Sequence, residues 1–233
     1  AKSEFSLDFM ATRSLSIDSL CEFIPQALGN RSGKVFYSGR LAFSREAPLY
    51  VLGVNPGGDP EGMPDETVSS HSVQVRTKFH PNWSAYRDES WKGSTPGTWK
   101  MQPRVLHIFR TLGMDPGIIP CSNLVFVRSR KVADLKQELP QLVKLCWPFH
   151  AGAIEKLRPR VVVCFGQTAG DCVRERLAAN HQYAEHVEQN DRRWRSRAYK
   201  NSDGLKVIVA THPSRVNWVN PKTDPTELIT AAI

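Results

Sequence analysis

Two short polar segments follow apolar runs and carry the side chains best suited to chemistry. The segment NPGG at residues 55–58 follows the apolar run 49–54, and THPSR at residues 211–215 follows the run 207–210. The amide oxygen of Asn55 can hold a water molecule, and the imidazole of His212 can donate a hydrogen bond to a developing negative charge. Each segment alone is a weak signal, because both compositions are common in turns and loops. Their shared position after apolar runs predicts one site built from both.

The apolar runs predict the strands that would position this site. They span residues 49–54, 123–127, 161–165 and 207–210, and none alternates with polar residues, which is typical of strands buried on both faces. Helical patterns occupy residues 16–27, 102–112, 139–157 and 169–179, a short closing helix is expected after residue 223, and residues 57–97 are expected to form a long irregular loop. This order predicts an α/β fold: a single domain with a central four-stranded, mainly parallel sheet flanked by helices. Ligands of such sheets bind beyond the carboxyl ends of the strands, where both segments lie.

The composition restricts the partners and the compartment. The chain has 233 residues, 40% of them apolar, and 31 Lys and Arg against 23 Asp and Glu, so a net charge of +8 favours a polyanionic partner. The five cysteines form no CxxC pair and no zinc or iron–sulfur spacing, so we expect no disulfide framework, no metal and no cofactor. No apolar run is long enough to span a bilayer and no signal peptide is evident. We therefore expect an intracellular monomer without a membrane partner, in the cytoplasm of a bacterium or the nucleus of a eukaryote.

These motifs resemble those of the uracil-DNA glycosylase superfamily. GVNPG at residues 53–57 is similar to the GxNPG motif of the single-strand-selective and mismatch-specific branches, and THPSR is similar to the HPS motif of the single-strand-selective and classical branches. Asn123 lies between them, where the family places its uracil-reading asparagine. The resemblance covers residues 45–233 and leaves residues 1–44 as an N-terminal helical lead-in packed on the core. It implies the glycosylase fold and a single- or double-stranded DNA partner that contains uracil or a related lesion.

The resemblance also implies catalytic roles. His212 would donate to the uracil O2, where the negative charge of the leaving group accumulates. Asn55 would hold the attacking water, although the classical branch has an aspartate there that can also stabilise the cationic sugar. Asn123 would pair with O4 and N3–H and so select uracil over cytosine, which presents the opposite pattern.

The walls of the expected pocket follow from the first motif. Gly53 and Val54 would line the uracil. Gly57 replaces a bulky tyrosine of the classical branch, so we expect room for 5-substituted uracils such as 5-hydroxymethyluracil. The family stacks an aromatic ring on the base about a dozen residues later, but this stretch has none. Phe79 is the nearest candidate, although it and the aromatic residues behind it would equally pack the loop on itself.

Contacts with DNA are implied around both motifs. Small residues and backbone N–H groups would hold phosphates without reading sequence. Arg215 would act as a wedge in the gap left by the extruded base, or else as a phosphate contact, and Trp218 would assist it. The basic run at residues 192–200 has no clear family counterpart and is either a solvated hairpin face or an extra duplex contact. The phosphate-contacting set comprises Gly58, Gly166, Gln167, Pro213 and Ser214.

Three functions remain open from the sequence. The first is a monofunctional glycosylase that extrudes uracil or a 5-substituted uracil and leaves an abasic site, since no lysine in the motifs can form a Schiff base. The second is a DNA-binding or damage-sensing protein of the same fold with weak or no turnover. The third is a phosphate-binding hydrolase that uses Gly57 and Gly58, although it lacks a Walker lysine and a GxSxG elbow.

Overall fold

A six-stranded sheet forms the centre of the computed structural model, which describes residues 16–233. Four parallel strands lie in the order β2-β1-β3-β6, which confirms the predicted parallel core. The predicted number of four strands is wrong, because an antiparallel hairpin, β4-β5, extends the sheet beyond β6. This hairpin is largely solvent-exposed and charged, so it has no apolar run of the kind that reveals a buried strand. The strands are β1 (Leu49–Gly53), β2 (Cys121–Asn123), β3 (Val161–Phe165), β4 (His181–Val187), β5 (Arg195–Lys200) and β6 (Lys206–Ala210).

Seven α-helices connect and cover these strands in the described part of the chain. The predicted helices α4, α5 and α7 are confirmed, and α6 begins two residues earlier than predicted. Along residues 16–233, none of the helices combines the length and apolarity that a membrane span requires. The helices are α1 (Ile17–Cys21), α2 (Val68–Thr77), α3 (Ala85–Asp88), α4 (Gln102–Thr111), α5 (Leu139–Leu157), α6 (Gln167–Arg176) and α7 (Thr226–Thr230).

Two expectations about the connecting segments are wrong. The helix expected over residues 16–27 consists only of α1 and a 3-10 turn at Gln26–Leu28, because Pro25 cannot donate to a helix and disfavours helical geometry before it. The segment 57–97 is not irregular throughout, since it contains α2 and α3. Helix α2 begins at a capping box in which Thr67 and Ser70 satisfy each other's backbone N–H groups.

Residues 32–37 form an edge segment that runs antiparallel to residues 121–128. The Lys34 N–H donates to the Phe126 carbonyl at 3.0 Å, and the Tyr37 N–H donates to the Cys121 carbonyl at 2.9 Å. This pairing covers the β2 side of the sheet. The first fifteen residues of the expected lead-in lie outside the described residues, and the domain boundary after residue 44 stays a prediction.

The register of β2 differs from the prediction in a way that matters for the site. The apolar run was expected to start a strand at Asn123, whereas Asn123 is the last residue of β2 and pairs with Gly53 of β1. The apolar residues that follow, 124–127, remain buried beneath the edge segment. Asn123 therefore lies at the carboxyl edge of the sheet.

Candidate active site

The predicted catalytic side chains come from one edge of the sheet. Asn123 ends β2, Asn55 lies two residues beyond β1, and His212 lies two residues beyond β6. With parallel neighbours about 4.8 Å apart, the three spacings from β2 to β6 correspond to about 14 Å between backbones. Asn123 and His212 therefore follow the two outer strands of the parallel set, and Asn55 follows a strand between them.

The imidazole of His212 is held as a neutral hydrogen-bond donor. The Ser214 N–H, at 3.1 Å, and the Ser214 hydroxyl, at 2.8 Å, both approach Nδ1. A backbone N–H can only donate, so Nδ1 accepts and the hydrogen of the neutral ring resides on Nε2. Burial, with a smaller contribution from Arg215, lowers the pKa of His212 to about 4. The ring is therefore uncharged at neutral pH, with its Nε2–H free of a protein partner in the described structure.

The position of the His212 loop is fixed from both sides. A Cβ on Gly166 would lie 3.2 Å from Cδ2 of His212, and the φ of +85° at Gly166 also favours glycine. On the other side, Nη1 of Arg104 donates to the Pro213 carbonyl at 2.6 Å. Trp218 donates through Nε1 to the Thr211 hydroxyl at 3.2 Å.

The side chain of Asn55 is oriented by its own turn. Its Nδ2 lies 2.9 Å from the Pro56 carbonyl, 3.2 Å from the Val127 carbonyl and 2.9 Å from the Ser129 hydroxyl. Carbonyl oxygens only accept hydrogen bonds, so the amide atom of Asn55 that faces them must be the nitrogen. The amide oxygen, Oδ1, then faces away from the turn and is available as an acceptor. Asn55 thus stabilises the turn and also presents an acceptor that a water molecule can use.

Asn123 presents a buried donor that no well-formed hydrogen bond satisfies. The residue is only 5% exposed, and among residues 16–233 its Nδ2 has no partner at hydrogen-bonding geometry, although the side chain approaches the Tyr37 hydroxyl. A Cβ on Gly53 would lie 2.2 Å from Oδ1 of Asn123, so glycine is required for this close approach. Burial, with a smaller contribution from Glu89, raises the pKa of Tyr37 well above its usual range, and the approach of the Asn123 side chain to the Tyr37 hydroxyl offsets part of this rise. An unpaired buried donor is costly, so Nδ2 is suited to receive an acceptor from a ligand.

Gly57 and Gly58 form a turn clamped by a buried arginine. Arg128 donates through Nη1 to the Gly57 carbonyl at 2.9 Å and forms an ion pair with Glu66 through Nη2. Gly57 is exposed, and no atom outside its chain neighbours lies within 4 Å of where its Cβ would be. The N–H of Gly58 donates to the Ser129 carbonyl at 3.2 Å, so it is not free for a phosphate.

Other predicted contacts are not supported by the geometry. Phe79 packs on Trp83 at a centroid distance of 4.7 Å and on His71 at 5.8 Å, so its ring is part of an aromatic cluster beside α2, and its stacking on a base stays a prediction. Trp218 is fully buried against Phe165 and cannot assist a wedge.

Among the phosphate candidates, the structure separates accessible groups from occupied ones. The Gly166 N–H donates to the Ala210 carbonyl at 2.8 Å, and Pro213 is buried. Gln167 at the start of α6 and Arg215 are exposed beside His212, so they remain candidates for DNA contact. Ser214 is also exposed, but its N–H and hydroxyl both approach Nδ1 of His212, so a phosphate could use only the hydroxyl, turned away from a nitrogen that the N–H already serves. Val54 was predicted to line the uracil, but it is buried and its carbonyl accepts from the Val125 N–H. Its backbone therefore helps to hold the site together, and its side chain is not exposed to a ligand.

Sequence reasoning missed the residues that orient the motifs. Ser129 holds Asn55, Arg128 holds the Gly57 turn, Arg104 holds the HPS loop, and Tyr37 adjoins Asn123. Of these four residues, only Arg128 and Ser129 have a signal in the sequence. They belong to a polar run of two arginines and a serine that directly follows the apolar segment ending at residue 127.

The chain matches the uracil DNA glycosylase superfamily over residues 42–232, and it therefore belongs to that superfamily. The match includes Asn55, Asn123 and His212 and begins shortly after the edge segment. No curated protein matches the chain significantly. Membership supports a DNA glycosylase in the general sense, a hydrolase that acts on DNA in repair.

Proposed function

We propose that the protein is a monofunctional uracil-DNA glycosylase that acts on uracil or a 5-substituted uracil extruded from DNA. The observation that carries the proposal is the state of His212, whose Nδ1 accepts from Ser214 while burial keeps the ring neutral. A neutral imidazole with Nε2–H facing outward is a preorganised donor for an anionic oxygen. Such a donor is typically worth about 2.7–4 kcal/mol of barrier lowering.

The proposed reaction breaks the bond between C1′ of the sugar and N1 of the base. The bonding electron pair moves to the uracil ring, and its charge on O2 is stabilised by the Nε2–H of His212. A water molecule that donates to Oδ1 of Asn55 attacks C1′ and loses its other proton to bulk water, and the released uracil anion takes up a proton from bulk water to leave as neutral uracil. The amide is a poor base, so departure of the leaving group drives the step and the water is held rather than deprotonated in advance.

Base selection is assigned to Asn123 and Gly57. The unpartnered Nδ2 of Asn123 would donate to O4 of uracil, a position where cytosine has an amino group that cannot accept. The open space at Gly57 would admit a substituent on carbon 5. Phosphates beside the lesion would bind the exposed Ser214 and Gln167, and Arg215 would fill the space left by the extruded base.

The test is single-turnover excision with excess protein on oligonucleotides that contain uracil or 5-hydroxymethyluracil. Single-stranded and duplex substrates are compared, and alkali reveals abasic sites. We expect excision of both bases by the wild type and a loss of about 10²–10³-fold in His212→Ala. Unchanged uracil excision by Asn123→Asp would contradict the proposed reading of the base.

One observation favours a second function, a damage-binding protein of the same fold with little turnover. The ring of Phe79, the residue predicted to stack on the base, is engaged with Trp83 and His71. Loss of a stacking contact costs about 1–3 kcal/mol. Binding to uracil-containing DNA without any alkali-labile product would favour this function.

A further inference from the structure

The tip of the β4-β5 hairpin, residues 188–197, is the most basic feature that the proposed reaction does not use. It presents an exposed tryptophan among four arginines. The guanidinium of Arg192 lies 4.4 Å from the centroid of the Trp194 ring, so the two side chains support each other at the surface. The four arginines are Arg192, Arg193, Arg195 and Arg197.

The sheet register places this tip at the same edge as His212. Strand β5 is antiparallel to β6, with Arg197 opposite Val209, so the chain before Arg197 extends toward residue 211. The Thr211 N–H donates to the Ser196 hydroxyl at 2.9 Å, which ties β5 to the catalytic loop. The last residue of β4, Val187, lies opposite Arg195, so the whole turn projects from the carboxyl edge.

The ion pairs leave positive charge available at the tip. Arg193 forms no ion pair among residues 16–233, whereas Arg192 pairs with Glu188 at 3.0 Å. Arg195 and Arg197 share the single carboxylate of Glu185, Arg197 at 3.9 Å, so one of these two charges is also not neutralised. Lys222 adds a further cation, because its carbonyl accepts from the Gln189 N–H at 2.8 Å and holds it beside the turn. Exposed arginines with stacked or free guanidinium groups are well suited to phosphate oxygens.

We propose that the hairpin tip binds backbone phosphates of duplex DNA that flanks the extruded nucleotide. Strands β5 and β4 lie one and two spacings from β6, which puts the tip about 5–10 Å beyond the His212 loop. Phosphates along one strand recur about every 3.4 Å of helix axis, so the tip reaches phosphates two or three nucleotides from the lesion. The tip therefore contributes affinity and leaves the chemical step unchanged. This inference rests on the proposed function only for its placement relative to the lesion.

The test compares two double variants that remove the same charge at opposite edges of the sheet. Arg193→Gln with Arg195→Gln alters the tip, whereas Arg45→Gln with Arg158→Gln alters exposed residues before β1 and before β3, at the amino edge. The dissociation constant for a uracil-free 30-base-pair duplex is measured by fluorescence anisotropy at several salt concentrations. We expect the tip variant to bind about tenfold more weakly at low salt and to lower the log–log salt slope by about 2, with little change in the control.

A second arm separates this inference from the proposed function. Single-turnover uracil excision is measured on a trinucleotide too short to reach the tip, where both double variants should match the wild type. If the wild type excises nothing, the duplex-binding arm still decides the role of the tip. Equal weakening by the tip and control variants, or an unchanged salt slope in the tip variant, would overturn the inference. Arg193→Gln alone is the control for misfolding, because the Arg193 side chain forms no ion pair with any residue from 16 to 233. This variant should lower the salt slope by about 1.

Discussion

Replacement of Asn55 by aspartate should damage this protein, even though the classical branch of the superfamily uses aspartate at the corresponding position. The Nδ2 of Asn55 faces two carbonyl oxygens and the Ser129 hydroxyl, whose own hydrogen is donated to the Lys131 carbonyl. A carboxylate would lose these donor interactions and turn a negative oxygen toward two acceptors. Two or three lost hydrogen bonds correspond to about 2–4 kcal/mol. For a chain of this size that is a fall of roughly 5–15 °C in melting temperature.

The deficit of Asn55→Asp should depend on pH. The facing carbonyl oxygens raise the pKa of the introduced carboxyl above its unfolded value of about 3.9, because the protonated form can still donate one hydrogen bond. A group with a raised folded pKa contributes its stability below the unfolded pKa and loses it as pH rises through the folded pKa. The melting temperature of the variant should therefore fall further below that of the wild type between about pH 4 and pH 7.

Thermal unfolding followed by circular dichroism, with single-turnover excision at pH 7, checks this reasoning. Asn55→Ala is the matched control, since it loses the same hydrogen bonds without adding charge and should show a smaller, pH-independent deficit. An Asn55→Asp protein that melts with the wild type at pH 7 and excises faster would refute the assigned orientation of the amide.

Three further outcomes follow from the site. Gly53→Ala should displace the Asn123 amide, because a Cβ would lie 2.2 Å from its Oδ1, and uracil excision should fall by at least about tenfold while non-specific DNA binding persists. Gly57→Tyr should fill the open space at carbon 5, so the ratio of 5-hydroxymethyluracil to uracil excision should drop, and an unchanged ratio would argue against that pocket wall. Because the pKa of His212 is lowered to about 4, the rate of single-turnover excision should not fall as the pH drops through 6.5, the usual pKa of histidine. A fall in rate near pH 6.5 that disappears in His212→Gln would contradict the role of His212 as a neutral donor.

The edge of the sheet that carries the candidate site could be predicted from the sequence because its segments follow buried parallel strands. The runs ending at Val54 and Ala210 are apolar throughout, so both the strands and the polar residues after them were identifiable. Helix α5 was predicted with its observed bounds because its apolar residues keep a helical spacing over nineteen residues.

The elements that escaped prediction lack a clean apolar pattern. The buried residues of helix α2 have helical spacing, but two of the four are polar, so the sequence shows no continuous apolar face. These residues are Val68, His71, Ser72 and Val75. The β4-β5 hairpin is exposed and charged, so its sequence has no apolar strand pattern, and the basic run 192–200 is equally compatible with a solvated hairpin face and with an extra duplex contact. Contacts between distant segments, such as Arg104 with the Pro213 carbonyl, have no local signal at all.

The edge segment, residues 32–37, has a practical consequence for fragments of this chain. It lies upstream of residue 42, where the superfamily match begins, yet its backbone pairs with residues 121–128 and supplies the Val35 carbonyl to the Ser122 hydroxyl at 2.6 Å. A fragment trimmed to the matched region would leave the N–H and C=O groups of this border unpaired, and such a border readily recruits strands from other chains. Trimmed protein should consequently accumulate as insoluble material on expression, even though Asn55, Asn123 and His212 are all retained.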